Sequence, residues 1–140
     1  MTKLFPLAAA LALLAAPAAA QAPPGAIAKP VAVIDTTMSG QPILLPQGPM
    51  QVTVTETTLP AGGAIAAHKH PFPRYAHIQE GALEVTNLDT GTVQVLRAGM
   101  FAVESRDQWH RAVALDGKPA RLLVIDQAPP GQANIVRKPP

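Results

Sequence analysis

The residues best placed to do chemistry lie in "AAHKHPFPRYAHIQEG", positions 66–81. His68 and His70 are separated by one residue. In an extended segment they project from the same face, about 6.6 Å apart along the chain, so their imidazoles can converge on one ion. Pro71 and Pro73 bias His70 and Phe72 toward extended backbone, which holds the pair in strand-like geometry before any ligand arrives. Neutral imidazole is a favoured ligand for Zn, Fe, Cu and Ni. The chain has no cysteine, so a metal site must be built from His, Asp and Glu. Four residues beyond His70 stands Arg74, a cation where a metal site would more naturally offer a carboxylate.

The neighbouring aromatic residues read differently. Residues 74, 76 and 78 share one face of a strand, so His77 and Tyr75 point to the other, and His77 reads as a packed or interface residue. Trp109 faces away from His110 by the same parity and reads as core.

These side chains must be positioned by strands, because almost nothing between residue 31 and residue 128 has helical periodicity. "VAVID" (31–35), "PILL" (42–45), "MQVTVTETTL" (50–59), "MFAV" (100–103), "HRAVAL" (110–115) and "ARLLVID" (120–126) are short, β-branched or alternating runs. Residues 81–99 form a hairpin, with strands Leu83–Asn87 and Thr92–Leu96 around the Asp89-Thr90-Gly91 turn. Short strands with turn signals and no alternating helices argue for an all-β barrel or sandwich.

The ends differ from this body. Lys3, the apolar run Leu7–Ala16 and the small residues Ala18 to Ala20 have the order of a secretory signal peptide, cleaved after Ala20. The run is alanine-rich, broken by Pro6 and Pro17, and shorter than the roughly 20 residues of a spanning helix. A periplasmic or secreted protein with no integral membrane segment after processing is expected. Residues 21–30 read as a Pro-rich linker, 31–128 as the barrel and 129–140 as a Pro-rich tail whose "NIV" could lie along a sheet edge. Of eleven basic residues, ten remain without Lys3, against nine acidic ones. No basic cluster is interleaved with aromatics, so nucleic acid is not an expected partner.

The spacing of the histidines resembles the cupins. Their first motif runs Gly, five residues, His-x-His, three or four residues, Glu, six residues, Gly. Here Gly62, His68, His70, Arg74 and Gly81 keep that spacing, with arginine in the acidic position. The second motif runs Gly, five residues, Pro-x-Gly, two residues, His, three residues, Asn. Here Gly99, Ser105, Asp107, His110 and Ala114 keep it, with Ser for Pro, Asp for Gly and Ala for Asn. The resemblance implies a small antiparallel jelly-roll barrel of six to eight strands. It also implies a divalent transition metal held by His68, His70 and His110, and a homodimer.

Arginine for glutamate removes an anionic ligand and adds a repelling charge. Glu104 or Asp107, both just before His110, could pair with Arg74 and neutralise it. Alternatively, Arg74 offers a planar fork to a substrate carboxylate. A three-His iron centre with an arginine is similar to the thiol dioxygenase branch of the cupins. Two functions stand: a metal-dependent oxygenase acting on a small carboxylate-bearing molecule, and a non-catalytic small-molecule binding or sensing cupin with little or no metal.

Overall fold

A computed structural model describes residues 25–139. Nine strands follow one another: β1 (Gln51–Leu59), β2 (Ala64–Lys69), β3 (Arg74–Glu80), β4 (Ala82–Asn87), β5 (Val93–Arg97), β6 (Phe101–Val103), β7 (His110–Ala114), β8 (Ala120–Ala128) and β9 (Val136–Arg137). They form two antiparallel sheets, one ordered β1-β8-β3-β6 and the other β5-β4-β7-β2-β9. The all-β antiparallel jelly roll is as expected, with nine strands among the described residues where six to eight were expected. Among the described residues, no helix is long and apolar enough to cross a membrane.

Alternation decides which side chains fill the space between the sheets. Along β8, Ala120, Leu122, Val124, Asp126 and Ala128 are buried, while the residues between them are half-buried on the outer face. Leu59, Ile78, Leu83, Leu96, Leu122 and Val124 meet in the core. Each such side chain contributes about 1.5–3 kcal/mol when fully buried. Asp126 is the one charged residue on the inward parity of β8.

Two turns fix the frame. Asn87 Oδ1 accepts the N–H groups of Asp89 and Thr90, closing the β4–β5 hairpin in the manner of an Asx turn. Gly81 joins β3 to β4 with φ +72°, and a Cβ there would lie 2.2 Å from the Pro119 carbonyl oxygen. The final glycine of the first motif is thus required by close backbone approach as well as by conformation.

The segments 31–35 and 42–45, expected as strands, are not strands. Their region contributes only the isolated bridge Thr36–Pro42. Val31 and Val33 are exposed, and Pro30, Gly40, Pro42 and Pro46 interrupt any ladder. The loop between them is held by side chains. Gln41 exchanges hydrogen bonds with the Arg106 backbone through Oε1 and Nε2, at 2.8 and 3.0 Å. The expected signal peptide lies outside the described residues. At the other end, the "NIV" region does join a sheet edge, as β9 on β2.

Candidate metal centre

The site sits where the two sheets open. His68 near the end of β2 and His110 at the start of β7 are direct cross-strand partners, so their side chains leave the same face. A register irregularity between Ile65 and His68 precedes them. His70 follows β2 and is held by a bridge to Arg106 and by the Asp107 N–H, which donates to its carbonyl at 2.9 Å. Asp107 occupies the glycine position of the second motif and keeps a left-handed backbone, φ 55°. Aspartate tolerates that conformation better than most residues.

The three imidazoles pack with ring centroids 4.4–5.0 Å apart, and all three residues are at most 5% exposed. In each ring Nδ1 faces a backbone carbonyl: His68 toward Ala66 at 2.8 Å, His70 toward Asn134 at 2.5 Å, His110 toward Gln108 at 2.9 Å. A carbonyl can only accept, so Nδ1 carries the proton and Nε2 is left as the lone-pair donor. The sequence-predicted ligands His68, His70 and His110 are therefore brought together.

A fourth group joins them. Glu104, in the loop after β6, places Oε2 3.0 Å from His110 Nε2 and 2.9 Å from His70 Nε2. The ligating atoms of His68, His70, Glu104 and His110 all lie within 4.8 Å of one another. Nitrogen ligands about 2.0–2.1 Å from a zinc-like ion stand about 3.0–3.4 Å from their neighbours, so small side-chain shifts would gather these four groups around one ion. His70 Nε2 is buried and, despite its closeness to Glu104, has no aligned hydrogen bond. A buried ring nitrogen left without a hydrogen bond is what a ligand set offers an ion.

Without metal, a proton takes the place between carboxylate and imidazole. Burial alone would lower the His110 pKa, but the hydrogen bond and charge of Glu104 outweigh it and raise the pKa. Burial alone would raise the Glu104 pKa, but His110 and His70 hold it well below the usual carboxylate range. His68, chiefly through burial, falls to about 4 and is neutral at physiological pH.

Arg74 is engaged elsewhere. Its Nε and Nη2 donate to the two oxygens of Asp126, each at 2.7 Å, and both side chains are nearly buried. Asn134 Nδ2 donates to the same carboxylate at 2.6 Å. The expected Arg74–Glu104 pair is thereby corrected: the ion-pair partner is Asp126, its cross-strand neighbour on β8. The Glu104 carboxylate turns to the histidines, and it meets Arg74 only through the backbone. Asp107 is not the partner either, lying 3.9 Å from Lys69 Nζ.

Sequence reasoning missed Glu104 as a candidate ligand, and missed Asp126 and Asn134. Asp126 had a signal, a carboxylate on the apolar parity of "ARLLVID". His77 stacks on Phe101 on the outer face, with centroids 4.1 Å apart, and Tyr75 faces outward to Gln127. Trp109 is not core: it is half-buried, with the ammonium groups of Lys69 and Lys138 over its ring at 5.2 and 5.7 Å.

Beneath the site lies a cavity of about 170 Å³. Ile65, Leu83, Val85, Leu96, Leu122 and Val124 line its depth, and His68, Glu104 and His110 are among the polar residues lining it.

Known proteins share this arrangement of strands. The Cupin domain family matches residues 55–126. An oxalate oxidase solved with glycolate is 25% identical, with a TM-score of 0.53 over 61% of this chain and 45% of that one. The chain thus spans less than half of that protein's length. The polyketide cyclase RemF from Streptomyces resistomycificus is 22% identical, with a TM-score of 0.51 over 62% of each chain. An oxalate decarboxylase from Lactobacillus farciminis is 17% identical, with a TM-score of 0.53 over 61% of this chain and 26% of that one. The last two show the fold alone. No curated protein sequence matches significantly.

Proposed function

This chain belongs to the cupin family, and we propose that it is an exported enzyme whose His68, His70, His110 and Glu104 hold one divalent transition metal. Fe(II), Zn, Ni and Cu all suit a nitrogen-rich set. The reaction is of oxygenase type, on a small molecule bearing a carboxylate. The observation that carries the reading is the shared ring orientation: three Nδ1–H groups given to three backbone carbonyls, which leaves the three Nε2 atoms gathered with the Glu104 carboxylate.

When bound, the metal supplies a Lewis acid that binds and polarises a substrate oxygen. The protein's own groups do the rest. Glu104, held ionised, offsets one of the metal's two charges, and the Arg74–Asp126 pair is neutral as a unit. The loaded centre therefore keeps net positive charge, which favours an anionic ligand over a neutral one. Buried walls below the histidines exclude water from the bound molecule. Similarity to an oxalate oxidase solved with glycolate supports chemistry on a carboxylate, whereas the apolar cavity favours the second reading, a binding protein without catalysis.

The test is metal content and affinity. Protein purified without added metal should carry, or take up on reconstitution, one equivalent of a transition metal. Substituting Ala for His68, His70 or His110 should cut affinity by orders of magnitude, and His77→Ala should not. Failure of the wild-type protein to take up any of the four metals would overturn the proposal. Oxygen consumption by the loaded protein with a panel of small carboxylic acids then separates the enzyme from the binder.

A further inference from the structure

The C-terminal segment completes the pocket and supplies its one uncommitted cation among the described residues. Asn134 is buried and fastens the segment. Its side-chain oxygen accepts the Phe72 N–H, and its amide donates to Pro73 O and Asp126. Its backbone carbonyl accepts from His70 Nδ1. Two residues later β9 begins and pairs with β2, and Arg137 stands directly opposite His68. Cross-strand partners project from the same face of a sheet, so the Arg137 side chain leaves toward the site, as His68 does. Ile135, two residues earlier and on the same face, lines the cavity with it.

Arg74 also lines the cavity, but its charge is matched by Asp126. Among the described residues, no carboxylate pairs with Arg137, which is exposed at the mouth. The deeper walls are mostly hydrocarbon, with the Thr57 hydroxyl among them, and a cavity of about 170 Å³ is comparable to one of roughly 150 Å³ that admits benzene. A small dianion would leave that volume empty and those walls uncovered.

We propose that the ligand is an amphiphilic monocarboxylate, a short aliphatic or single-ring acid. Its apolar body fills the barrel, and its carboxylate lies at the mouth against Arg137. This rests on the carboxylate class proposed above and narrows it. Arg137 is a binding and specificity residue, and its guanidinium can take the carboxylate through two parallel N–H donors.

Titration calorimetry with benzoate, hexanoate, hexan-1-ol and oxalate tests it, on metal-free and metal-loaded protein. Benzoate or hexanoate should bind more tightly than oxalate in both forms. Arg137→Ala should weaken benzoate binding at least about tenfold, Arg137→Glu should weaken it further, and Arg137→Lys should recover only part. Hexan-1-ol affinity should be the same in the wild type and Arg137→Ala, which reports that the barrel is intact. Tighter binding of oxalate than of benzoate, or unchanged benzoate affinity in Arg137→Ala, would overturn the proposal. Because metal-free protein is included, loss of metal uptake sinks the metalloenzyme reading without deciding this one.

Discussion

Glu104 lies directly across from Arg74. The β3–β6 ladder pairs Tyr75 with Val103, and one step further the Glu104 N–H donates to the Arg74 carbonyl at 2.9 Å. The position that is glutamate in the cupin motif is here arginine, and a glutamate stands beside it on the adjoining chain. The carboxylate of the site has in effect moved one strand over, and the arginine has been given a partner of its own.

Glu104→Ala should therefore weaken metal binding by at least about tenfold, because an anionic ligand is lost from a site of neutral imidazoles. Arg74→Glu should not compensate. It would set a carboxylate against Asp126, which is held by Arg74 at 2.7 Å, and so destabilise the fold before it could serve the metal. Competition titration with a chromogenic chelator reads the first effect. A full restoration of affinity in the Arg74→Glu, Glu104→Ala double variant would refute the division of roles.

Arg74 and Asp126 should behave as a structural pair. Each is nearly buried, and removing either leaves the other charged without a partner, a loss of about 3–5 kcal/mol. In a domain of this size that is a fall in Tm of roughly 10 °C or more. Arg74→Ala and Asp126→Ala should match one another, and the double variant should lose less than the sum of the two. Glu104→Ala should not copy them. Calorimetric melting of the four variants checks this, and strict additivity would show that the pair is not coupled.

Metal-free protein should be most stable near pH 6.5. The His68 pKa falls from 6.5 to about 4 on folding, so the unfolded chain binds the extra proton between those values and stability drops as pH falls through that window. The pKa of Glu104 is also lowered, and its contribution is lost on further acidification below its ordinary value of 4.5. That of His110 is raised above 6.5, so the folded state holds the extra proton there, and stability is lost as pH rises through the folded value. Metal replaces that proton, so the loaded protein should lose the alkaline decline. Urea melts across pH 4–9, with and without metal, would show the two curves diverging above neutrality; parallel curves would contradict the shared position of proton and metal.

Much of this was legible in the chain and some was not, for physical reasons. Alternation in "MQVTVTETTL" and "ARLLVID" reports a half-buried sheet, and the motif spacing reports which strand ends meet. His68, His70 and His110 could be named because imidazoles separated by fixed spacings on extended backbone have few other uses. The sequence suggests Glu104 as a partner for Arg74 because charge complementarity is visible there, whereas the direction of a loop side chain is not. That Asp126 takes the arginine instead follows from the register of β3 on β8, which no local pattern encodes. The segment at 31–35 misled because β-branched residues satisfy strand propensity without any partner strand being available.

Those same unpaired apolar residues bear on assembly. On the outer face of the β1-β8-β3-β6 sheet, Val52 and Val54 are more than half exposed and Phe101 is 41% exposed. Ile34, Val31 and Tyr75 border a shallow apolar depression beside Phe101. At one end of the face Arg121 bridges Glu56 and Glu80, so an apolar centre has an ionic rim, as protein interfaces do. We expect a homodimer through this face, which lies opposite the cavity and leaves the Arg137 mouth open. Light scattering at micromolar concentration should give twice the monomer mass. Val54→Lys or Phe101→Glu should give a monomer with unchanged β-sheet circular dichroism and unchanged metal affinity. A monomeric wild-type protein would remove the dimer, and loss of metal binding in either monomeric variant would mean that the face and the site are not independent.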